Sequence, residues 1–154
     1  LCVASKKVVK KDLGRMVATE GYVYVAQIAM GANMNQTLKA IKEAESYNGP
    51  SLIIAYSPCI EHGIKGGLSM HQKEQKMAVE CGYLTLYRFD PRNEKPLTID
   101  SKAPKWENFN DFLMNEVRYS QLINLRGEEV AQEMFDKTLK DAQKRYNRLV
   151  ALAQ

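Results

Sequence analysis

The sequence predicts an α/β domain built on a parallel sheet, and three observations carry that prediction. Strand-like apolar runs alternate in order with helical periodicities, glycines and prolines stand between them as stops, and the runs are apolar almost throughout. Strands buried on both faces by crossover helices have that last character.

The elements follow in order. Lys11 to Glu20 carries Leu13, Met16 and Val17 at helical spacing and stops at Gly21. Tyr22 to Ala29 is a strand rich in aromatic and β-branched residues, and Gly31-Ala32-Asn33 turns the chain. From Gln36 to Tyr47, apolar positions recur every three or four residues behind Asn35 as N-cap, until Gly49-Pro50 ends the helix. Leu52 to Tyr56 reads as a second, buried strand. Gly66-Gly67 leads into a helix over Ser69 to Cys81, with Met70, Met77, Ala78 and Cys81 on one stripe, closed by Gly82. Tyr83 to Phe89 is a third strand, ended by Asp90-Pro91.

Strands alternating with helices mean right-handed crossovers and parallel pairing. Three strands do not hide both edges of a sheet, so further sheet is expected outside this chain or in a partner. Arg92 to Lys105, flanked and broken by Pro91, Pro96 and Pro104, reads as an extended connection wrapping the module. Trp106 to Met114 reads as a short helix, and from Glu128 onward Val130, Met134, Phe135, Leu139, Ala142, Tyr146 and Leu149 mark a long amphipathic C-terminal helix. Residues 1–91 thus form the α/β part, and 92–154 a wrapping connection and helices packed on the same domain.

At 154 residues, 45% apolar and 26% charged, the composition is that of a folded chain with one modest core. The net charge of +4 is small. Its basic groups, Lys6, Lys7, Lys10 and Lys11, then Lys140, Lys144, Arg145 and Arg148, read as solvated faces without a nucleic-acid motif beside them. Cys2, Cys59 and Cys81 form neither a disulfide framework nor Cys-x-x-Cys knuckles, which suits a reducing cytoplasm. No apolar run approaches the roughly 18 residues of a membrane span, and no charged-then-apolar leader opens the chain. The start at Leu1, with the polar lead-in Ala4-Ser5-Lys6-Lys7, suggests a piece of something longer.

Cys59 is the residue to which chemistry attaches first. It stands in Ser57-Pro58-Cys59-Ile60-Glu61-His62-Gly63, directly after the second strand, and the carboxyl ends of strands are where open α/β sheets place ligands. Three readings stay open: a packed core thiol, a nucleophile whose proton His62 draws off, or one metal ligand. A lone cysteine cannot hold an iron-sulfur cluster, which generally takes four thiolates, so in the last reading the other ligands come from elsewhere. His71 and Glu74, one helical turn apart, and Glu61 beside His62 lack further ligands and read as solvated residues. Gly63, Gly66 and Gly67 match no phosphate-binding fingerprint and read as a loop needing positive φ angles. Cys81 is expected to pack beside Met77, and Cys2 to be structural.

Several of these runs, in one register, carry a resemblance. Lys11-Asp12-Leu13-Gly14, Gly21-Tyr22-Val23-Tyr24-Val25-Ala26-Gln27, Gly31-Ala32-Asn33, the run from Gly49-Pro50 to Ser57, Cys59-Ile60, His62-Gly63 and Tyr87-Arg88-Phe89-Asp90-Pro91 closely resemble the pyruvate:ferredoxin (flavodoxin) oxidoreductase family. The match looks like the C-terminal part of its thiamine-diphosphate-binding domain. The resemblance implies oxidative decarboxylation of pyruvate with coenzyme A to acetyl-CoA and carbon dioxide, through thiamine diphosphate and magnesium. Electrons would pass along four-iron four-sulfur (4Fe-4S) clusters to ferredoxin or flavodoxin, in a protein that is a homodimer at full length. It further implies that Cys59 is the fourth ligand of the cluster nearest the thiamine, the other three coming from another domain of the parent enzyme. The family's Gly-Asp-Gly diphosphate and magnesium motif does not occur in this sequence, so this chain alone is expected to be inactive. A related enzyme for another 2-oxo acid, or a non-catalytic α/β assembly module with a packed Cys59, are the alternatives.

Overall fold

The computed structural model describes residues 11–59, 61 and 63–154. The expectations for Cys2, for Lys6, Lys7 and Lys10, and for His62 as a partner of Cys59 therefore lie outside the described residues.

Helix α1 (Leu13–Ala18) starts where Asp12 accepts a hydrogen bond from the Arg15 amide at 3.2 Å, a side-chain cap that satisfies one of the first-turn donors. Strand β1 (Tyr24–Ile28) follows, with Tyr24, Val25 and Ala26 fully buried. Helix α2 (Met34–Ser46) is capped by Asn33, whose side chain accepts from the Gln36 amide at 3.0 Å. Asn33, rather than Asn35, is the cap because it keeps the extended backbone that lets its side chain reach back. Strand β2 (Ser51–Ala55) pairs in parallel with β1, Val25 opposite Leu52 and Gln27 opposite Ile54. That β1–α2–β2 unit is the parallel crossover the alternation predicts.

Two features of the sheet depart from expectation. The strand order is β2-β1-β3-β4, so β2 lies at an edge and is half-exposed rather than buried. Strand β3 is confined to Tyr87–Phe89 and runs antiparallel to β1, and the expected all-parallel sheet is a mixed one. The cause lies in helix α3 (His71–Glu80), which follows a 3₁₀ turn at Leu68–Met70. A crossover helix would return along the sheet to the amino ends of the strands. Helix α3 instead stays near their carboxyl ends, where Gly31, just past β1, meets the backbone of Gln72. Its Ala78 and the following Cys81, with Tyr83 and Leu84, pack into a helical layer. The chain re-enters the sheet from that end, so β3 can only run antiparallel.

Within the stretch expected to be a plain connection, Leu97–Ile99 forms β4, antiparallel to β3. A 3₁₀ turn at Trp106–Asn108 opens α4 (Phe109–Asn115), α5 (Val117–Arg126) follows, and α6 (Glu128–Ala153) closes the chain. Phe109, Phe112, Leu113, Tyr119, Leu122, Ala131, Phe135 and Ala142 bury one another and the inner face of α3. Farther along α6, Leu149 reaches the sheet face that carries Val25 and Tyr87, and α2 covers the opposite face through Ala40. The long helix thus docks against both the helical layer and the sheet.

An ionic knot closes the α2 side. The Arg88 guanidinium donates to Asp100 through Nε and Nη2 at 2.9 and 2.8 Å and to Glu43 through Nη1 at 2.7 Å. Tyr24 donates to the same Glu43 at 2.9 Å and Gln36 to Asp100 at 3.0 Å. A bidentate fork of this kind uses the planar geometry that only arginine offers. Among the described residues no helix is long and apolar enough to cross a membrane.

Candidate functional site

The site is a turn at the carboxyl end of β2, and the sequence places it there by running out of strand residues. Tyr56 extends the ladder by one bond, its amide donating to the Ile28 carbonyl at 2.9 Å. Pro58 then has no amide to donate, and the chain leaves the sheet. Pro58 is buried, and Cys59 beside it is half-buried and a free thiol.

The turn is pinned from below by the junction of α4 and α5. The Gly63 carbonyl accepts from the Val117 amide at 3.1 Å, the Lys65 amide donates to the Asn115 carbonyl at 2.9 Å, and Ile64 bridges to Glu116. Gly63 has φ +72, and a Cβ there would stand 3.0 Å from the Val117 side chain, so both its backbone and its neighbour require glycine. Gly66 and Gly67 also have positive φ, which agrees with the loop reading.

Under the turn lies a buried polar group. Glu116 occupies an extended residue between the two helices, accepts from the Tyr56 hydroxyl at 3.0 Å and pairs with the Arg118 guanidinium. Arg118 sits 4.9 Å over the Tyr119 ring, and the Tyr119 and Tyr83 hydroxyls bond at 3.0 Å. Burial, then the Glu116 charge, raises the Tyr56 pKa well above the usual phenol range, so Tyr56 keeps the proton that it donates to Glu116. Glu74 is fully buried, where a solvated helix residue was expected, because α4 covers that face of α3. Asn115 Nδ2 donates to Glu74 Oε2, while Oε1 is a buried oxygen without a hydrogen-bond partner. Loss of solvent raises the Glu74 pKa above the usual carboxylate range.

From the other side the turn is held by α3. His71 Nε2 lies 3.1 Å from Ser57 Oγ, His71 Nδ1 lies 3.3 Å from Gln75 Nε2, and the Gly31 amide donates to Gln75 Oε1 at 2.7 Å. His71 and Glu74 do not converge on an ion. Among the described residues no three histidine, cysteine or carboxylate side chains are grouped to hold a metal.

The two described cysteines differ in kind. Cys81 is buried, donates to the Ala78 carbonyl at 3.5 Å, and has its thiol pushed up to about 12 by burial; it is a packing residue, as its place beside Met77 suggests. Cys59 sits at the mouth of a pinned turn. A single half-buried free thiol suits one corner of a site whose remaining ligands another domain supplies, and it does not suit a complete centre.

The sequence pattern marks the cysteine turn, Ser57 included, but does not bring Glu116, Arg118, Asn115 and Gln75 to it. One signal was available: Asn115-Glu116-Val117-Arg118 interrupts a run of core residues with polar ones, which marks a helix break with buried polar demands.

No protein-family model matches this chain. It is 53% identical over 146 residues to the pyruvate-flavodoxin oxidoreductase of Enterobacter agglomerans, a match covering 92% of this chain and 12% of that protein. It is 48% identical over 149 residues to the pyruvate:ferredoxin oxidoreductase of Moorella thermoacetica, covering 94% of this chain and 12% of the relative. With the mitochondrial pyruvate dehydrogenase [NADP(+)] of Euglena gracilis it shares 39% identity over 154 residues, 8% of that protein. The chain therefore spans about an eighth of the length of the first two of these relatives. Over nearly its whole length, this chain is homologous to one segment of the pyruvate:ferredoxin and pyruvate-flavodoxin oxidoreductases.

Proposed function

We propose that this chain is one segment of an enzyme that oxidatively decarboxylates pyruvate with coenzyme A and passes the electrons through four-iron four-sulfur clusters to ferredoxin or flavodoxin. The observation that carries the reading is the Cys59 turn: a free, half-buried thiol displayed at a strand's carboxyl end, inside a segment about half identical to enzymes of that name. Cys59 would supply one thiolate to a cluster closed by ligands of another domain. When bound, that cluster supplies a one-electron acceptor.

The remaining residues have the task of holding Cys59 still. Pro58 ends the strand, Gly63 turns the loop back, and Glu116 with Tyr56 anchors the segment onto the helical layer. Backbone amides of a turn fixed in this way lower the cost of placing negative charge on sulfur, and such bonds tune reduction potentials. Thiamine diphosphate and magnesium belong, on this reading, to residues outside the chain, since the Gly-Asp-Gly motif is not in the sequence. A cytoplasmic homodimer of the longer protein is the matching assembly.

The test is Cys59→Ser introduced into the protein as its source cell makes it, purified without oxygen. The variant is expected to reduce ferredoxin or flavodoxin from pyruvate and coenzyme A at least tenfold more slowly. An unchanged rate would refute the ligand role and leave Cys59 as a packed thiol.

A further inference from the structure

The chain Gly31, Gln75, His71, Ser57 dictates where protons lie. The Gly31 amide has only a hydrogen to offer, so the Gln75 atom 2.7 Å from it is the amide oxygen. The Gln75 NH₂ group then faces His71 Nδ1 at 3.3 Å. An NH₂ group has no lone pair to give, and Nδ1 must accept. The imidazole proton therefore sits on Nε2, which lies 3.1 Å from Ser57 Oγ and donates to it. With that lone pair engaged, the hydroxyl proton of Ser57 points away from His71. Among the described residues its one acceptor is the Pro58 carbonyl at 3.5 Å, the outer limit of a hydrogen bond. The exposed Ser57 thus carries a hydroxyl donor with no strong partner among the described residues, two positions before Cys59.

We propose that His71 is a positioning residue: with a bare Nδ1 set by Gln75 and its proton on Nε2, it holds Ser57 as a hydrogen-bond donor toward the sulfur group bound at Cys59. The inference rests on the reading of Cys59 as a cluster ligand. Gly31 belongs to the same device, because only glycine lets the turn after β1 approach the backbone of Gln72 closely enough for its amide to reach Gln75. The ligand chemistry that Ser57 suits is anionic sulfur, thiolate or inorganic sulfide, and a cluster whose sulfurs accept such bonds is easier to reduce.

Two measurements separate this inference from the reading beneath it. The first is the nitrogen-15 spectrum of the histidine-labelled chain, which contains two histidines, with His71 assigned by loss of its signals in His71→Gln. The expected result is a bare Nδ1 and a protonated Nε2. A proton on Nδ1, or the averaged shifts of a ring exchanging both tautomers, would overturn the relay whatever Cys59 binds. The second is a redox titration, followed by electron paramagnetic resonance, of the full-length enzyme carrying Ser57→Ala. Its cluster content should be unchanged and the potential of one cluster lower. His71→Phe should give the same shift, and His71→Gln, which keeps an N–H donor at similar reach, should recover most of it. Unaltered potentials in Ser57→Ala would overturn the assignment of Ser57. A Cys59→Ser variant that neither loses nor converts a cluster would instead remove the ligand reading and the inference with it, while leaving the tautomer as measured.

Discussion

At the scale of single residues, the buried carboxylate of Glu74 has the clearest consequence. Its pKa is raised in the fold because burial penalises the charged form. The folded chain therefore binds that proton more tightly than the unfolded chain does. Stability is full below the unfolded pKa of the group and is lost as the pH rises from there through the folded value. Glu74→Gln removes the loss while keeping an oxygen for Asn115. The variant should gain urea resistance over the parent at about pH 8 and show little or no gain at about pH 4. An equal difference at both values would mean that Glu74 binds its proton no more tightly in the fold than in the unfolded chain. Nothing in the spacing of His71 and Glu74 reveals this burial, because the covering residues are about forty positions away, in a helix whose packing partner cannot be read locally. Cys81 was legible by contrast, since its neighbours Met77 and Ala78 lie on its own helical stripe.

At the scale of elements, Gly31 joins the β1–α2 turn to α3. Its φ is not positive, so the constraint is space alone: a Cβ would stand 2.5 Å from the Gln72 carbonyl oxygen and 2.6 Å from its Cα. Gly31→Ala should cost about 1–3 kcal/mol, the usual cost of overpacking, and chemical denaturation reads it directly. A cost near zero would show that α3 moves away freely. The parallel β1–β2 pair, α2 and the long α6 were legible because their periodicities extend over many residues. The direction of β3 was not, because it depends on where α3 packs and not on any residue of β3. Strand β4 spans only Leu97–Ile99, too short for an alternating pattern to register. Helix α5 carries its buried Tyr119 and Leu122 among polar residues, which masks its stripe.

At the scale of the molecule, two bodies of core must stay in register for the cysteine turn to hold its place: the sheet with α1 and α2, and the helical layer that pins Gly63 to Lys65. Arg88 ties β3 to α2 and to Asp100 beyond β4. Arg88→Met leaves the half-buried Glu43 and Asp100 without the guanidinium that bridges them, and a loss of about 1.5–3 kcal/mol is expected, the range for hydrogen bonds to charged groups. A double change that also replaces Glu43 by Gln and Asp100 by Asn should recover part of it, because the stranded charges are gone. If Arg88→Met alone unfolds no more easily than the parent, the knot contributes nothing and docking rests on apolar packing. The cysteine turn itself was legible from Ser57-Pro58-Cys59 after an apolar run, whereas its support by Glu116 and α5 was not, because those contacts join residues some sixty positions apart.

The central claim is that Cys59 is a cluster ligand. Its most direct test is iron content together with the electron paramagnetic resonance spectrum of the reduced full-length protein, parent against Cys59→Ser. The variant is expected to lose one cluster signal, or to show it converted to a three-iron species, with the other clusters intact. Identical iron content and identical spectra in the two proteins would contradict it.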